Sequence, residues 1–297
     1  MNRYDGSDFE VFRAKNNQQN CISDNEIIAL LEDQKGNIWI GTGNGLTRFN
    51  VRKNKFDVFR HDPLDSTSLS NDYITSLFED IDGSLLIGTK FGLNRFHSDT
   101  QIFTRIDSEM EIPLEQKVVR SIYKSTEGEY WIGFENELCH FDKKTNKIIP
   151  LNFKNPVSIQ NGKKILSFLE DRNGGLWVGT NKGLNFFDEK KKDFVLIPNT
   201  ENLSFLSLFQ TIDETILLGT NKGLFYIKDS STQIQNYEHK QLSPSSLSNN
   251  TIHSILESKN GILWIGTGSG LNKYDACLLY TSPSPRDQRG SRMPSSA

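Results

Sequence analysis

Nine polar residues of this 297-residue chain have types and positions that suit a ligand-binding site. Thr75, Arg120 and His253 interrupt a position that is otherwise apolar in related segments of the sequence. A charged group there must be solvated or paired. The position is expected to line a water-filled channel without a ligand, and the functional alternative is contact with an anion or a sugar. The other six candidates end variable polar loops just before the same segments: Asn71, Asp72, Lys117, Lys163, Asn249 and Asn250.

Catalytic and metal sites are not predicted. The five histidines have no ligand-like spacing, and the three cysteines form no metal or disulfide framework. The acidic pairs Glu32-Asp33, Glu79-Asp80 and Glu170-Asp171 recur where an apolar run meets a turn, which predicts turn hydrogen bonds and not acid–base chemistry. We therefore expect a protein that is not an enzyme and holds no metal.

The loop sequence GTGNGL at Gly41–Leu46 is similar to part of a dinucleotide-binding loop. That motif requires a helix after the glycines. Here a strand-like segment follows, which predicts a hairpin turn and no cofactor. Four tryptophans share one position in the related segments, and leucine replaces them elsewhere. We expect packing between neighbouring elements, with an aromatic sugar platform as the alternative: Trp39, Trp131, Trp177 and Trp264.

A repeat positions all of these residues. WIGT or a close relative recurs with its glycine at positions 41, 88, 133, 179, 219 and 266. The first copy indicates four strands, Ile27–Glu32, Ile38–Thr42, Leu46–Asn50 and Phe56–Arg60, separated by polar turns. A period of 40 to 47 residues with four strands per unit predicts an all-β propeller of about six blade units. An open β-solenoid is the alternative fold.

The two ends of the sequence differ from the repeat. Asn2–Tyr4 matches a third strand of a unit and Phe9–Phe12 a fourth, whereas the last unit has no recognisable fourth strand. Phe9–Phe12 could pair with Leu271–Asp275 and close a ring, or the chain could be an arc of a larger ring. Residues 1–275 are the predicted propeller. The Ser-, Pro- and Arg-rich residues 276–297 are predicted to be disordered, and are similar to a translated cloning sequence, with a flexible linker as the alternative.

Composition excludes two classes of partner. Lys and Arg number 34 against 37 Asp and Glu, which gives a net charge of −3 and no basic footprint for nucleic acid. No apolar run approaches the roughly 20 residues that a membrane helix needs. The first ten residues contain no apolar signal-peptide core.

The repeat resembles the two-component regulator propeller repeat. The matching pattern is ED-x-x-G followed by W-[IV]-GT and GL with an aromatic residue, as in Glu32–Phe49 and Glu170–Phe187. The SLSND and SLSNN segments at Ser68–Asp72 and Ser246–Asn250 also match. The resemblance covers residues 1–275, and it weakens in the third unit, which loses glycines, and in the shortened fifth.

This resemblance implies a seven-bladed ring, so that the six units would be an incomplete or truncated propeller. It also implies the periplasmic sensor region of a hybrid histidine kinase, which recognises glycan fragments and regulates polysaccharide-use genes. An oligosaccharide ligand and a homodimer through the sensor region are expected, with membrane attachment only through parts of the parent protein outside this chain. A free-standing protein-binding scaffold and a propeller glycosidase or lyase are the alternatives.

Overall fold

The computed structural model describes residues 1–4, 8–15, 20–108, 117–151, 163–188, 193–228, 235–241, 243 and 246–274. The predicted disordered segment, 276–297, lies outside these residues. None of the described residues belongs to a helix long and apolar enough to cross a membrane. The chain divides into two compact units, Met1–Asn152 and Phe153–Ala297, which are described separately.

The first unit contains three blade sheets and a short strand pair. The pair consists of β1 (Asn2–Tyr4) and β2 (Phe9–Val11). The first blade is β3 (Ile27–Glu32), β4 (Asn37–Thr42), β5 (Gly45–Asn50) and β6 (Lys55–Phe59). The second is β7 (Ile74–Glu79), β8 (Leu85–Thr89), β9 (Gly92–His97) and β10 (Ile102–Arg105). The third is β12 (Val119–Lys124), β13 (Tyr130–Phe134), β14 (Leu138–Asp142) and β15 (Lys147–Pro150), extended by β11 (Asp107–Ser108), which pairs parallel with β15.

The second unit contains three more blades. The fourth is β16 (Ile165–Glu170), β17 (Leu176–Thr180), β18 (Gly183–Asp188) and β19 (Asp193–Leu196). The fifth is β20 (Phe205–Gln210), β21 (Ile216–Thr220), β22 (Gly223–Ile227) and β23 (Gln235–Tyr237). The sixth has three described strands, β24 (Ile252–Glu257), β25 (Leu263–Thr267) and β26 (Gly270–Tyr274).

Each blade is an antiparallel meander in chain order, which confirms the prediction of an all-β propeller of four-stranded blades with six blade units. The predicted strands of the first repeat agree with β3–β6 to within one residue at each end. The predicted N-terminal pair is also present, because Tyr4 pairs with Phe9. Ring closure by Phe9–Phe12 stays a prediction.

Every blade has a β-bulge at the start of its first strand. In the first blade Ile27 pairs with Thr42 and Ala29 with Gly41, so that Ile28 has no partner of its own. The same shift recurs in the other five blades. The six bulge residues are Ile28, Thr75, Arg120, Leu166, Leu206 and His253. A β-bulge turns a side chain away from the regular alternation of a strand.

The glycine of the WIGT motif is required by close packing. A Cβ atom on Gly88 would lie 2.7 Å from Val119 Cγ1 of the next blade and would also meet Ser76 Oγ. The small residues that the sequence shows opposite these glycines, such as Ser76, leave the same space. A methyl group at Gly88 would therefore force two neighbouring inner strands apart.

The tryptophans pack between blades, as predicted. Trp39 is 2% exposed and its ring lies 5.1 Å from that of Phe96 in the second blade. Its Nε1 donates a 2.8 Å hydrogen bond to Asp33 Oδ2. Trp177 and Asp171 repeat this bond in the fourth blade. At Trp39 and Trp177 the position therefore buries apolar area while the indole N–H is hydrogen-bonded.

Hydrogen bonds link consecutive blades at both ends of their strands. We call the end with the second-to-third-strand hairpins the hairpin end, and the end with the first-to-second-strand turns the turn end. At the hairpin end, Gly45 N–H donates to the Asp72 carbonyl at 2.7 Å. At the turn end, Gln34 N–H donates to the Glu79 carboxylate at 2.9 Å. The second unit has both kinds of link, from Gly223 to Asn250 and from Ile212 to Glu257.

Candidate ligand-binding site

All nine predicted site residues lie at the hairpin ends of their blades. The first unit holds Asn71, Asp72, Thr75, Lys117 and Arg120, and the second holds Lys163, Asn249, Asn250 and His253. Thr75, Arg120 and His253 are the polar members of the bulge set. The bulge frees these three side chains from the regular pairing of the strand, so that polar residues can replace apolar ones at this position.

In the first unit, Thr75 and Arg120 lie on neighbouring inner strands, since β7 contacts β12. Both residues are half-buried. Thr75 Oγ1 and Arg120 Nε are buried atoms without a hydrogen-bond partner among the described residues. Buried polar atoms normally have a partner, so these two have hydrogen-bonding capacity that the described protein atoms do not use.

Two carboxylates accompany these residues, and the sequence reasoning missed both. Arg120 Nη2 donates to Glu135, and Lys117 Nζ donates to Glu137. Both glutamates lie in the third hairpin, where the other repeats have glycine at the position of Glu137. The loss of that glycine from the third repeat was the available signal. The result is two ion pairs, of which Arg120–Glu135 is the more exposed, and together they offer donors and acceptors side by side.

The thiol of Cys139 lies 4.0 Å from Glu137 Oε2. Burial, together with the charge of Glu137, raises the pKa of Cys139 well above its usual range. A neutral buried thiol is a poor nucleophile. Cys139 is therefore part of the packing beneath the hairpin.

The asparagines and the aspartate at the loop ends hold the loops themselves. Asn71 Oδ1 accepts the backbone N–H of Tyr73 at 2.9 Å, and Asp72 Oδ1 accepts that of His61 at 2.7 Å. The sixth blade repeats both bonds, from Thr251 to Asn249 and from His239 to Asn250. These oxygens shape the approach to the inner strand, and direct ligand contact by these four residues stays a prediction.

The structure does not bring the candidates of the second unit to one place. Lys163 precedes β16, whereas Asn249, Asn250 and His253 belong to the sixth blade, and β20 contacts both β16 and β24. His253 is exposed. Lys163 is half-buried, and its burial and the positive charge of Lys182 lower its pKa. The bulge residues between them, Leu166 and Leu206, are apolar.

The turn ends carry a different chemistry. Asp33 Oδ1 accepts the N–H groups of Lys35 and Asn37 at 3.0 and 2.8 Å, which confirms the predicted turn role of the acidic pairs. Asp80 also lies in such a turn, but it is 2% exposed and joins the second blade to the third. Its carboxylate accepts bonds from Lys124 Nζ at 2.8 Å, from Tyr130 Oη at 2.6 Å and from Lys143 Nζ.

This cluster stabilises ionised Asp80. Burial alone would raise the pKa of Asp80, but hydrogen bonds from Lys124, Lys143 and Tyr130 outweigh burial and hold that pKa well below its usual range. The carboxylate also accepts the Ile81 N–H at 2.7 Å, and with four donors and almost no solvent contact it has no free capacity for a ligand. The turn-end cluster is therefore structural, in contrast to the more exposed Arg120–Glu135 pair at the hairpin end. Within the described ranges, no three His, Cys, Asp or Glu residues are grouped so that they could hold a metal ion.

Comparison with protein families gives one match. The family model described as "Two component regulator propeller" matches residues 21–44, 68–91, 159–182 and 246–269. The matched segments run from the loop before the first strand to the hairpin after the second, in the first, second, fourth and sixth blades. A search of curated proteins gave no match.

Solved structures share the fold at low sequence identity. The extracellular domain of a protein described as a hybrid two-component system of B. thetaiotaomicron aligns over 92% of this chain and 36% of its own, with a TM-score of 0.77 and 22% identity. A second extracellular domain from the same organism, described as a one-component system, aligns over 91% of this chain and 42% of its own, with a TM-score of 0.57 and 20% identity. This chain thus spans well under half the length of either domain.

A Staphylococcus aureus enzyme has the same fold. Virginiamycin B lyase aligns over 87% of this chain and 84% of its own, with a TM-score of 0.65 and 14% identity. At such identities the structures establish the fold and nothing finer. The repeat pattern is more specific, because four of the six blades match a single family model. Four of the six blades of this chain therefore contain two-component regulator propeller repeats.

Proposed function

We propose that this propeller is the ligand-sensing part of a two-component sensor, and that it recognises glycan-derived ligands at the hairpin ends of its blades. The observation that carries the proposal is the match of four blades to two-component regulator propeller repeats. The likeness to the extracellular domain of a hybrid two-component system supports it. By the same reasoning we place the propeller outside the cytoplasm, in the periplasm.

The geometry supports binding at the hairpin end more than at the turn end. At the hairpin end of the first unit, Arg120 and Lys117 form ion pairs with Glu135 and Glu137, and Thr75 Oγ1 has no partner among the described residues. Sugar hydroxyl groups both donate and accept, so a surface that alternates donors and acceptors suits them. The hairpins are also tied to the next blade by backbone bonds, which keeps the site pre-organised.

The proposed mechanism is a shift in populations. A ligand that binds one arrangement of paired sensor chains more tightly than another favours that arrangement by its difference in affinity. A kinase elsewhere in the parent protein would respond through its phosphorelay and regulate polysaccharide-use genes. We propose no catalytic role for this chain, and we propose a homodimer through the sensor region as the unit that changes.

The test is binding of defined oligosaccharides to the purified 297-residue chain. A panel of neutral and acidic oligosaccharides is screened by thermal unfolding, and those that raise Tm are titrated by calorimetry. A ligand at about 100 times its Kd adds ~2.7 kcal/mol to the free energy of unfolding, which is readily seen. We expect Arg120→Gln to weaken a neutral sugar that binds the first unit, and Lys53→Gln, at an exposed turn-end site, to leave binding unchanged. A panel without a single binder would contradict glycan sensing.

A lyase is the second candidate, because virginiamycin B lyase shares the fold over most of its length. The polar bulge residue His253 is exposed at the hairpin end, where a base could act. Turnover of an oligosaccharide or cyclic peptide by the purified chain, abolished by His253→Ala, would favour this candidate over sensing. Binding without turnover favours the sensor.

A further inference from the structure

Two neighbouring hairpins of the second unit are identical in sequence. Thr180–Leu184 and Thr220–Leu224 both read TNKGL, and each presents a lysine, Lys182 or Lys222, at the tip. Thr180 Oγ1 accepts the Lys182 N–H at 3.1 Å, and Thr220 Oγ1 accepts the Lys222 N–H at 2.9 Å. Because both lysines are fixed at the same backbone position of the same turn, their side chains start from equivalent places on adjacent blades.

Ser204 connects the two hairpins. Its Oγ donates to the Asn181 carbonyl at 3.2 Å, and its N–H donates to Asn221 Oδ1 at 2.9 Å. Gly183 N–H donates to the carbonyl of Leu203 in the same segment at 3.0 Å. The tips that carry Lys182 and Lys222 are therefore held side by side by a continuous set of hydrogen bonds.

Positive charge accumulates at these tips. Lys182 and Lys222 are exposed, and within the described part of the chain neither ammonium group forms an ion pair with a carboxylate. The charge of Lys182 also acts on half-buried Lys163, whose pKa is lowered by burial and by that charge. Like charges held close together on a rigid scaffold create a local potential that attracts anions.

The third blade has a different hairpin. There Glu137 forms an ion pair with Lys117, the residue two positions before the first strand. The residue equivalent to Glu137 is Gly183 in the fourth blade and Gly223 in the fifth. The fourth and fifth hairpins thus keep the glycine of the repeat and carry a lysine just before it. Glu238 lies beside Gly223, and its Oε1 accepts a hydrogen bond from Asn236 Nδ2 at 2.7 Å.

We propose that Lys182 and Lys222 bind an anionic group of the ligand at the hairpin ends of the fourth and fifth blades. The ligand class is an oligosaccharide that carries carboxylate or sulfate groups, which are the anions common in glycans. This assignment rests on the proposed sensing function and deepens it. Leu166 and Leu206, the half-buried bulge residues of these blades, supply no competing carboxylate.

The test compares matched charged and neutral probes by calorimetry on the whole chain at low ionic strength. The probes are trigalacturonate, a galactose disaccharide with one sulfate group, neutral galactotriose and inorganic tripolyphosphate. We expect trigalacturonate or the sulfated disaccharide to bind at least about tenfold more tightly than galactotriose, and to weaken as salt is added. Lys182→Gln/Lys222→Gln should lose at least about tenfold in affinity, and Lys182→Arg/Lys222→Arg should retain binding.

The matched control removes the same charge elsewhere. Lys53→Gln/Lys259→Gln changes two exposed lysines at turn ends and should bind as the wild type does. Thermal unfolding without ligand checks that each variant is folded. The inference is overturned if Lys182→Gln/Lys222→Gln binds the anionic probes unchanged, if the control loses as much, or if no anionic probe binds.

The arms separate this inference from the proposed function. If galactotriose or other neutral oligosaccharides bind and the anionic ones do not, sensing stands and the anionic ligand class is wrong. If tripolyphosphate binds through Lys182 and Lys222 but no oligosaccharide binds, the anion site stands and glycan sensing fails. If none of the anionic probes binds the wild-type chain, the anion site itself is wrong.

Discussion

The first and third blades belong to the same unit and share one repeat, but they satisfy it differently. In the first blade Asp33 is bound to Trp39 of its own blade, and the hairpin has the glycine Gly45. In the third blade Ser125 replaces that aspartate, and the hairpin carries Glu135 and Glu137. The residues of the third blade that differ from the repeat form ion pairs. At the turn end Lys124 binds buried Asp80, and at the hairpin end Arg120 and Lys117 bind the two glutamates.

The difference between the two ends of the third blade separates structure from recognition. Asp80 is 2% exposed and accepts hydrogen bonds from three side chains. The second blade has Leu86 in the tryptophan position and therefore lacks the aspartate–tryptophan bond, which the Asp80 cluster replaces. The side chains of Arg120 and Glu135 are 31% and 35% exposed. Ion pairs with that exposure add little to the free energy of unfolding, so stabilisation of the fold does not explain why Arg120 and Glu135 are paired here.

The largest expected effect is at Asp80. Asp80→Asn removes the anion between Lys124 and Lys143 and should lower the free energy of unfolding by about 3 kcal/mol, since breaking a buried ion pair leaves unpaired charge. The matched change Asp33→Asn in the first blade, where the donors are neutral, should cost about 1 kcal/mol. Urea unfolding of both variants measures this. Equal losses would contradict the contrast between the blades.

The same cluster predicts a pH dependence. The folded pKa of Asp80 is below its ordinary value of 3.8, so its contribution to stability is present above about pH 4 and is lost as the pH falls below that value. The unfolding free energy of the wild type should therefore fall more steeply with acid than that of Asp80→Asn. Parallel acid curves for the two proteins would show that Asp80 is not stabilised as an anion.

Crowding at Gly88 should have the next largest effect. Gly88→Ala places a methyl group against Val119 of the third blade and should cost about 2 kcal/mol by overpacking. Gly36→Ala is a useful contrast, because nothing lies near its Cβ and only its φ of 75° opposes the substitution, for about 1 kcal/mol. Thermal or urea unfolding distinguishes the two. A smaller loss at Gly88 than at Gly36 would mean that the inner strands can separate easily.

The fifth blade departs from the repeat at its first turn, where the only charged partner of Glu214 among the described residues is exposed Arg172, with 3.6 Å between Arg172 Nη1 and Glu214 Oε1. Glu214 occupies the turn position where other blades have glycine, and its φ is 69°. Glu214→Gly should relieve this strain and raise the free energy of unfolding by about 1 kcal/mol. If urea unfolding shows a loss instead, contacts of the Glu214 side chain outweigh the strain.

The smallest expected effect is the coupling between Arg120 and Glu135. A double-mutant cycle with Arg120→Gln and Glu135→Gln should give a coupling of about 0.5 kcal/mol in stability. A coupling above about 2 kcal/mol would place this pair in the same structural class as the Asp80 cluster. The division between the two ends would then be wrong.

Much of the fold could be predicted because every blade repeats the same local instructions. The first-repeat strands, the turn role of Asp33 and the packing of Trp39 all follow from alternation, turn residues and substitution by leucine. The bulge position was also recognisable as unusual in the sequence, because Thr75 and Arg120 are polar where other repeats have apolar residues. It could not show that these residues form a bulge, because a one-residue shift in pairing depends on the partner strand.

The candidate site was less predictable. Glu135 and Glu137 are distant in sequence from Arg120 and Lys117, and only the pairing of β12 with β13 brings them together. The cluster around Asp80 joins residues up to 63 positions apart. Contacts of this kind depend on how one blade packs on the next. The repeat pattern predicts where the strands lie but not which side chains meet between blades.

Amide hydrogen exchange tests the central claim most directly, that the hairpin ends bind ligand and the turn ends hold the blades together. Exchange is measured across the chain with and without the oligosaccharide that raises Tm most. We expect the ligand to slow exchange in the hairpins and at the bulge residues and to leave the first-to-second-strand turns unchanged. The hairpins concerned are residues 135–137 in the third blade, or 181–183 and 221–223 in the fourth and fifth. Protection confined to those turns would contradict it.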